Sequence, residues 1–240
     1  MFKNKKVIIF DMDGTLIDSI GVWNEIDREL IEKIGTVELD EVDIGKQRDT
    51  QLAKAKSNDI YLDYCKFLSE KYKSNLLPEE IYKLRVNIAD KYRTTMKYKK
   101  DADLVLNMLK NNGFILALAT TTGKISLDAY NYRNEYMMKK AKIYDIFSVI
   151  YSKEDVKNKK PDPEVHYKIL EKLDVKPEEC LIVEDSLIGV KAAKNAGIEV
   201  VAIYDKYSDE DRKEIMEMAN YYFENFEEIL NKIKEEIMNI

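Results

Sequence analysis

Val7-Ile8-Ile9-Phe10-Asp11-Met12-Asp13-Gly14-Thr15-Leu16 is the stretch whose reading decides the fold. Four consecutive apolar residues run into two aspartates separated by one residue, with a glycine directly after. An unbroken short apolar run reads as a strand buried on both faces, as in the centre of a parallel sheet. Carboxylates at the end of such a strand are costly unless something positive holds them. A hard cation with oxygen ligands does so, and leaves one carboxylate free for chemistry. The stretch therefore predicts a metal-assisted active site. It does not read as a calcium loop, because the sixth position is Leu16 rather than glycine and the twelfth is Val22 rather than glutamate.

Working outward, further apolar runs occur at Phe114–Ala119, Ser148–Tyr151, Leu181–Val183 and Val200–Tyr204. Helical spacing lies around and between them, at Ala102–Lys110, Ile125–Lys140, Val165–Leu173 and Leu187–Ala196. Strands alternating with helices predict an α/β fold with a doubly wound, Rossmann-like parallel sheet. Asn112-Gly113 and Gly197 mark helix ends, and Pro163 followed by Glu164 marks a start. The roughly hundred residues between the first two runs are too many for one crossover helix. Helical spacing at Val22–Ile34, Gln47–Lys56, Ile60–Tyr72 and Pro78–Tyr98 predicts an inserted α-helical domain over 18–99. Residues 1–17 and 100–240 then form the core, with an amphipathic helix from Phe226 to Ile240 docked on it.

Composition narrows the classes. The 240 residues are 45% hydrophobic and 35% charged, with a formal net charge of −6. That balance argues against a nucleic-acid protein, which usually shows a basic face, but not against an anionic small substrate held in a locally positive site. Cys65 and Cys180 cannot build a disulfide framework. The N-terminus lacks a signal-peptide pattern, and no apolar run is long enough to span a bilayer. A cytoplasmic protein without membrane partners is expected, as a monomer or weak homo-oligomer.

In an open parallel sheet ligands bind at the carboxyl ends of the strands. The first run ends in Asp11 and Asp13, the second in Thr120-Thr121-Thr122-Gly123, and Leu181–Val183 in Glu184-Asp185-Ser186. Lys159-Lys160-Pro161-Asp162-Pro163 precedes the last of these. Acids can hold magnesium, hydroxyls and backbone N–H groups can grip a phosphate, and lysine can neutralise both. Taken singly, each has a plainer reading as a turn, a helix cap or a solvated loop lysine.

Together, Asp-x-Asp-Gly-Thr-Leu, the strand-end threonine, Lys-Pro-x-Pro and Glu-Asp-Ser-x-x-Gly resemble the haloacid dehalogenase-like hydrolase superfamily. The branch most similar is the β-phosphoglucomutase-like one, with a helical cap inserted just after the first strand. The resemblance implies a magnesium-dependent phosphatase acting on a small phosphorylated metabolite, a sugar phosphate or nucleotide-like phosphomonoester, through an aspartyl-phosphate. It makes Asp11 the nucleophile and a magnesium ligand, and Asp13 the general acid–base, with its backbone carbonyl also on the metal. Thr120 and the N–H of Thr121 would hold the phosphoryl oxygens, and Lys160 would offset the shared charge. Asp185 would bind magnesium, with Glu184 a supporting or direct ligand. The acid at Asp13 sets the chain apart from the dehalogenases, whose halide needs no proton. A β-phosphoglucomutase-type mutase is the alternative; it carries a cap histidine near the position of Trp23, and no histidine lies in this cap. A catalytically weak phosphometabolite-binding relative is a second alternative. Gly45-Lys46-Gln47-Arg48 resembles the family's Gly-x-x-Arg substrate loop, making Arg48, with Trp23, a candidate substrate contact; a solvated arginine is the other reading of Arg48. His166 is expected in a surface or packing role.

Overall fold

In the computed structural model, which describes residues 1–35, 43–55 and 59–238, Val7–Phe10 forms strand β1 with every side chain buried. The other strands are β2 (Ile115–Ala119), β3 (Val149–Tyr151), β4 (Cys180–Glu184), β5 (Glu199–Ile203) and β6 (Tyr221–Phe223). They form one parallel sheet in the order β3-β2-β1-β4-β5-β6. The chain winds outward from β1 through β2 and β3, then returns to β4 and winds the other way. The doubly wound α/β sheet is therefore the observed one. Its direction reverses between β1 and β4, where a ligand crevice forms in such sheets. Phe10 pairs with Leu118 and with Val183, so Asp11, Ala119 and Glu184 lie one step beyond at a common level.

The chain divides into two compact units, Met1–Asp18 with Met96–Ile240, and Ser19–Thr95. In the second unit, α1 (Ile20–Ile34), α2 (Ile44–Lys54), α3 (Ile60–Lys71) and α4 (Pro78–Arg93) are all helical. Lys56, at the end of the predicted second helix, lies outside the described residues, as do Asn239 and Ile240 at the end of the chain. The helix predicted to reach Tyr98 ends at Arg93, where Thr94 and Thr95 turn their hydroxyls onto the carbonyls of Lys91 and Tyr92. The chain beyond is tied to the first unit: Tyr98 bridges to Ile17, and Lys99 N–H donates to Leu16 O at 2.8 Å.

In the first unit the sheet is flanked by α5 (Ala102–Asn111), α6 (Lys124–Tyr132), α7 (Glu135–Lys140), α8 (Ile143–Ile146), α9 (Glu164–Leu173), α10 (Leu187–Asn195), α11 (Arg212–Met218) and α12 (Phe226–Ile233). One helix was expected over Ile125–Lys140; two occur, because the buried Asn134 interrupts it. Its side chain accepts from Met137 N–H at 3.0 Å, restarting the helix, and donates to Met96 O at 2.8 Å. Strand β6 is too short to show a period in sequence; it is held by parallel pairing to β5. Phe226, Ile229 and Ile233 of α12 are buried, as its amphipathic pattern predicts. No helix among the described residues is long and apolar enough to cross a membrane.

The second unit has its own apolar core, with Leu30, Leu68 and Ile81 among its members. Asp27 is fully buried within the same unit. Arg85 Nε donates to its Oδ1 at 2.8 Å, and Arg48 Nη1 to its Oδ2 at 3.3 Å. One carboxylate thus ties α1, α2 and α4 together. Truncating one partner of a buried ion pair strands the others, at a cost of roughly 3–5 kcal/mol. Asp27→Ala is expected to lower the stability of this unit by that amount in urea titration, and a loss under about 1 kcal/mol would show the arginines re-solvated.

Candidate active site

Residues after β1 form a tight turn. Leu16 and Ile17 N–H groups both donate to Met12 O, Gly14 N–H donates to Ile17 O, and Gly14 takes a φ of +85°, which only glycine adopts readily. The turn carries three polar side chains in different directions. Asp11, beside the end of β4 (its N–H donates to Val183 O at 3.0 Å), is nearly buried. Asp13 is half-buried and accepts from the Thr122 hydroxyl. Thr15 is buried and donates to Asp185 Oδ1 at 2.5 Å.

Lys160 arrives from the loop ahead of α9. Its ammonium donates to Asp11 Oδ1 at 2.7 Å, Glu184 Oε1 at 2.5 Å and Ala119 O at 2.9 Å, which uses all three of its protons. The second Glu184 oxygen accepts from Asp185 N–H at 3.1 Å and from the Ser186 hydroxyl at 3.2 Å. The carboxylate lies directly over Gly189, where a Cβ would come within 1.9 Å of its carboxyl carbon. The glycine of Glu-Asp-Ser-x-x-Gly is therefore the space that Glu184 occupies. Ser186 caps α10 by accepting from Gly189 N–H at 3.1 Å.

Burial dominates the electrostatics. It pushes Asp11 up to about 7, with Glu184 adding to the rise and Lys160 opposing it. Asp185 is raised well above the ordinary carboxylate range, first by burial and then by Glu184 and Asp11. Burial also works against the Lys160 cation, but Asp11 and Glu184 hold its pKa above the usual lysine value. Lys160 thus pairs with two of the three buried acids, and Asp185 is not bonded to it. Oxygens of Asp11, Glu184 and Asp185 lie within 4.8 Å of one another, and Asp185 Oδ2 is buried with no hydrogen-bond partner among the described residues. An oxygen-only, over-acidic donor set with an orphaned carboxylate oxygen fits a hard divalent cation. Glu184 fits it less directly, since both its oxygens are engaged.

Thr120 is buried, donates its N–H to Tyr151 O at 3.0 Å and accepts from Thr122 N–H at 3.0 Å. Thr121 is exposed. Arg48 and Trp23 belong to the second unit. Arg48 is not a solvated arginine: it is buried on Asp27 and Asn24. Trp23 packs against that unit's core, 5.9 Å from the Arg85 guanidinium. Thr15, Thr122 and Gly189 stand within or beside the motifs but carry no charge, so nothing in the sequence marks them. His166 is fully buried rather than at the surface, and neither ring nitrogen has a hydrogen-bond partner among the described residues.

The acid–lysine cluster lies at the reversal of a parallel sheet, and comparison with known families identifies the class of protein as a hydrolase. The model of the haloacid dehalogenase-like hydrolase family matches residues 8–203, and the chain belongs to that family. A phosphorylated carbohydrates phosphatase of Thermotoga maritima is 31% identical over 234 residues, covering 96% of this chain and 99% of the relative. A Bacillus subtilis protein named provisionally as a phosphatase is 30% identical, covering 84% of each chain. Among solved structures, a Thermotoga maritima protein named provisionally as a β-phosphoglucomutase superposes with a TM-score of 0.76 at 27% identity, covering 96% of this chain and 99% of its own.

His166 provides a test of the burial. Burial, then Lys160, lowers its pKa from 6.5 to about 3. Above pH 6.5 the imidazole is neutral folded or unfolded; below it only the unfolded chain takes the proton, so stability falls until about pH 3. His166→Phe removes that loss. The stability of the variant minus that of the unaltered protein should grow by about 1.4 kcal/mol per pH unit from 6.5 downward. A pH-independent difference would mean the ring takes up its proton at the same pH folded and unfolded.

Proposed function

We propose that the protein is a magnesium-dependent phosphatase that hydrolyses a small phosphorylated metabolite, with phosphorylated carbohydrates the leading class, through an aspartyl-phosphate on Asp11. The observation that carries this reading is the Lys160 bridge from Asp11 to Glu184 beside an Asp185 oxygen that has no partner among the described residues. It supplies one fixed positive charge for a phosphoryl group and a buried acid set for a cation. The name of the Thermotoga maritima relative supports the substrate class.

In this mechanism an Asp11 oxygen attacks phosphorus and the substrate's ester O–P bond breaks. Asp13, held by the Thr122 hydroxyl, gives its proton to the leaving oxygen. Asp13 then takes a proton from water, whose oxygen displaces Asp11 from phosphorus and releases phosphate. The Thr120 hydroxyl and the Thr121 N–H grip the phosphoryl oxygens, and Lys160 offsets the charge that Asp11 and the phosphate bring together. Bound magnesium supplies Lewis-acid stabilisation of the charge on the phosphoryl oxygens. Asp11, Asp185 and the Asp13 carbonyl would hold it, with Glu184 acting in support through Lys160. In the second unit, Arg48 and Trp23 are assigned to the rest of the substrate; the bonds of Arg48 to Asp27 and Asn24 set the orientation of its guanidinium. A phosphatase is preferred to a mutase because the chain's one histidine, His166, belongs to the first unit and is buried there.

Asp11→Asn should lower phosphate release from a panel of sugar phosphates by a factor on the order of 10³ or more while circular dichroism stays unchanged. EDTA should abolish release, and added magnesium should restore it. Hydrolysis at the unaltered rate in Asp11→Asn, or turnover indifferent to EDTA, would overturn the mechanism.

A further inference from the structure

We infer that Thr15 is a positioning residue for the divalent cation, its hydroxyl holding one oxygen of Asp185 so that the other is presented as a ligand. The inference rests on the metal-dependent reading above. Asp185 and Thr15 are 170 residues apart in sequence, yet the Thr15 hydroxyl donates to Asp185 Oδ1 at 2.5 Å with both residues buried. Asp185 Oδ2 has no hydrogen-bond partner among the described residues.

Among the described residues, the donors at the end of β4 and on Lys160 are engaged elsewhere. The three protons of Lys160 go to Asp11, Glu184 and Ala119, and the Asp185 N–H is turned onto Glu184. The Ser186 hydroxyl is spent on Glu184 as well. The carboxylate is therefore oriented from across the reversal point of the sheet, by the turn that follows β1. That turn is pinned by its own backbone, with Met12 O accepting from both Leu16 and Ile17. A β-branched threonine is also stiff at χ1, so its hydroxyl stands in place before any ligand arrives. Groups of this kind, bonded to a metal ligand rather than to the metal, change affinity by about 10–100-fold when removed.

The experiment compares Mg2+ affinity of the metal-free full chain by titration calorimetry, with the apparent KM for Mg2+ in phosphate release as a second readout. Thr15→Val keeps the shape and removes the hydroxyl, Thr15→Ala removes it without overpacking, and Thr15→Ser retains it. Val and Ala should each weaken Mg2+ by about 10–100-fold, and Ser should stay within a few-fold of the unaltered protein. Should Thr15→Val fail to fold, Thr15→Ala carries the same comparison. Equal affinity in a folded Val or Ala variant overturns the role of Thr15 and leaves the metal reading standing. A Ser variant as weak as Ala also overturns it, assigning the effect to the methyl group. No Mg2+ binding by the unaltered protein overturns the metal reading itself, and the role of Thr15 with it.

Discussion

Everything at the carboxyl edge of the sheet depends on one buried cation, the ammonium of Lys160, held between Asp11 and Glu184. A carboxylate taken out of water without a partner is among the most expensive groups a protein can bury. Here three acids lie together at the ends of two adjacent central strands, and one lysine lies among them. All three of its donor positions are filled, so its place is fixed by geometry as well as by charge. Burial first, and then the acids acting on one another, displaces Asp11 and Asp185 upward. A structure that needed only stability would do better with apolar residues here. The over-acidic set is therefore a feature that folding alone does not explain.

The sheet makes this arrangement from simple connectivity. Winding out from β1 and returning at β4 puts the ends of both strands beside each other, and the pairing of Phe10 with Val183 brings Asp11 and Glu184 to one level. Gly189 then removes a side chain so that Glu184 can lie against the start of α10 and face Lys160. The consequence is a division of labour among acids that look alike in sequence. Glu184 is saturated by lysine, backbone and serine; Asp185 keeps one oxygen without a partner among the described residues; Asp13 remains half-buried under a threonine hydroxyl.

The parts of the fold legible in sequence are those with a strong local period or a marked end. Val7–Phe10 reads as a buried strand because nothing polar interrupts it, and α12 because its apolar residues fall on one face. Strand β6, three residues long, has no period to read and exists through its pairing to β5. The break between α6 and α7 was hidden because Asn134 acts through Met96, a contact far away in sequence. The candidate site divides in the same way. Asp11, Lys160 and Asp185 stand out as charged residues next to apolar runs or prolines. Thr15, Thr122 and the burial of His166 do not, because each depends on a neighbour brought in by tertiary folding.

The hydroxyl partners in the first unit follow a consistent logic. Thr122 sits on Asp13, Thr15 on Asp185 and Ser186 on Glu184, so each of these acids is met by one hydroxyl. A hydroxyl donates one hydrogen bond without adding charge. It can therefore orient a carboxylate while leaving its negative charge available, whereas a second lysine would neutralise it. Lys160 contributes charge at one point and the hydroxyls contribute direction at three others. That combination keeps the rim acidic enough to attract a cation and ordered enough that each acid has its own environment. The difference between Asp11, gripped by lysine, and Asp13, gripped by threonine, is what allows two aspartates one residue apart to take different parts in a reaction.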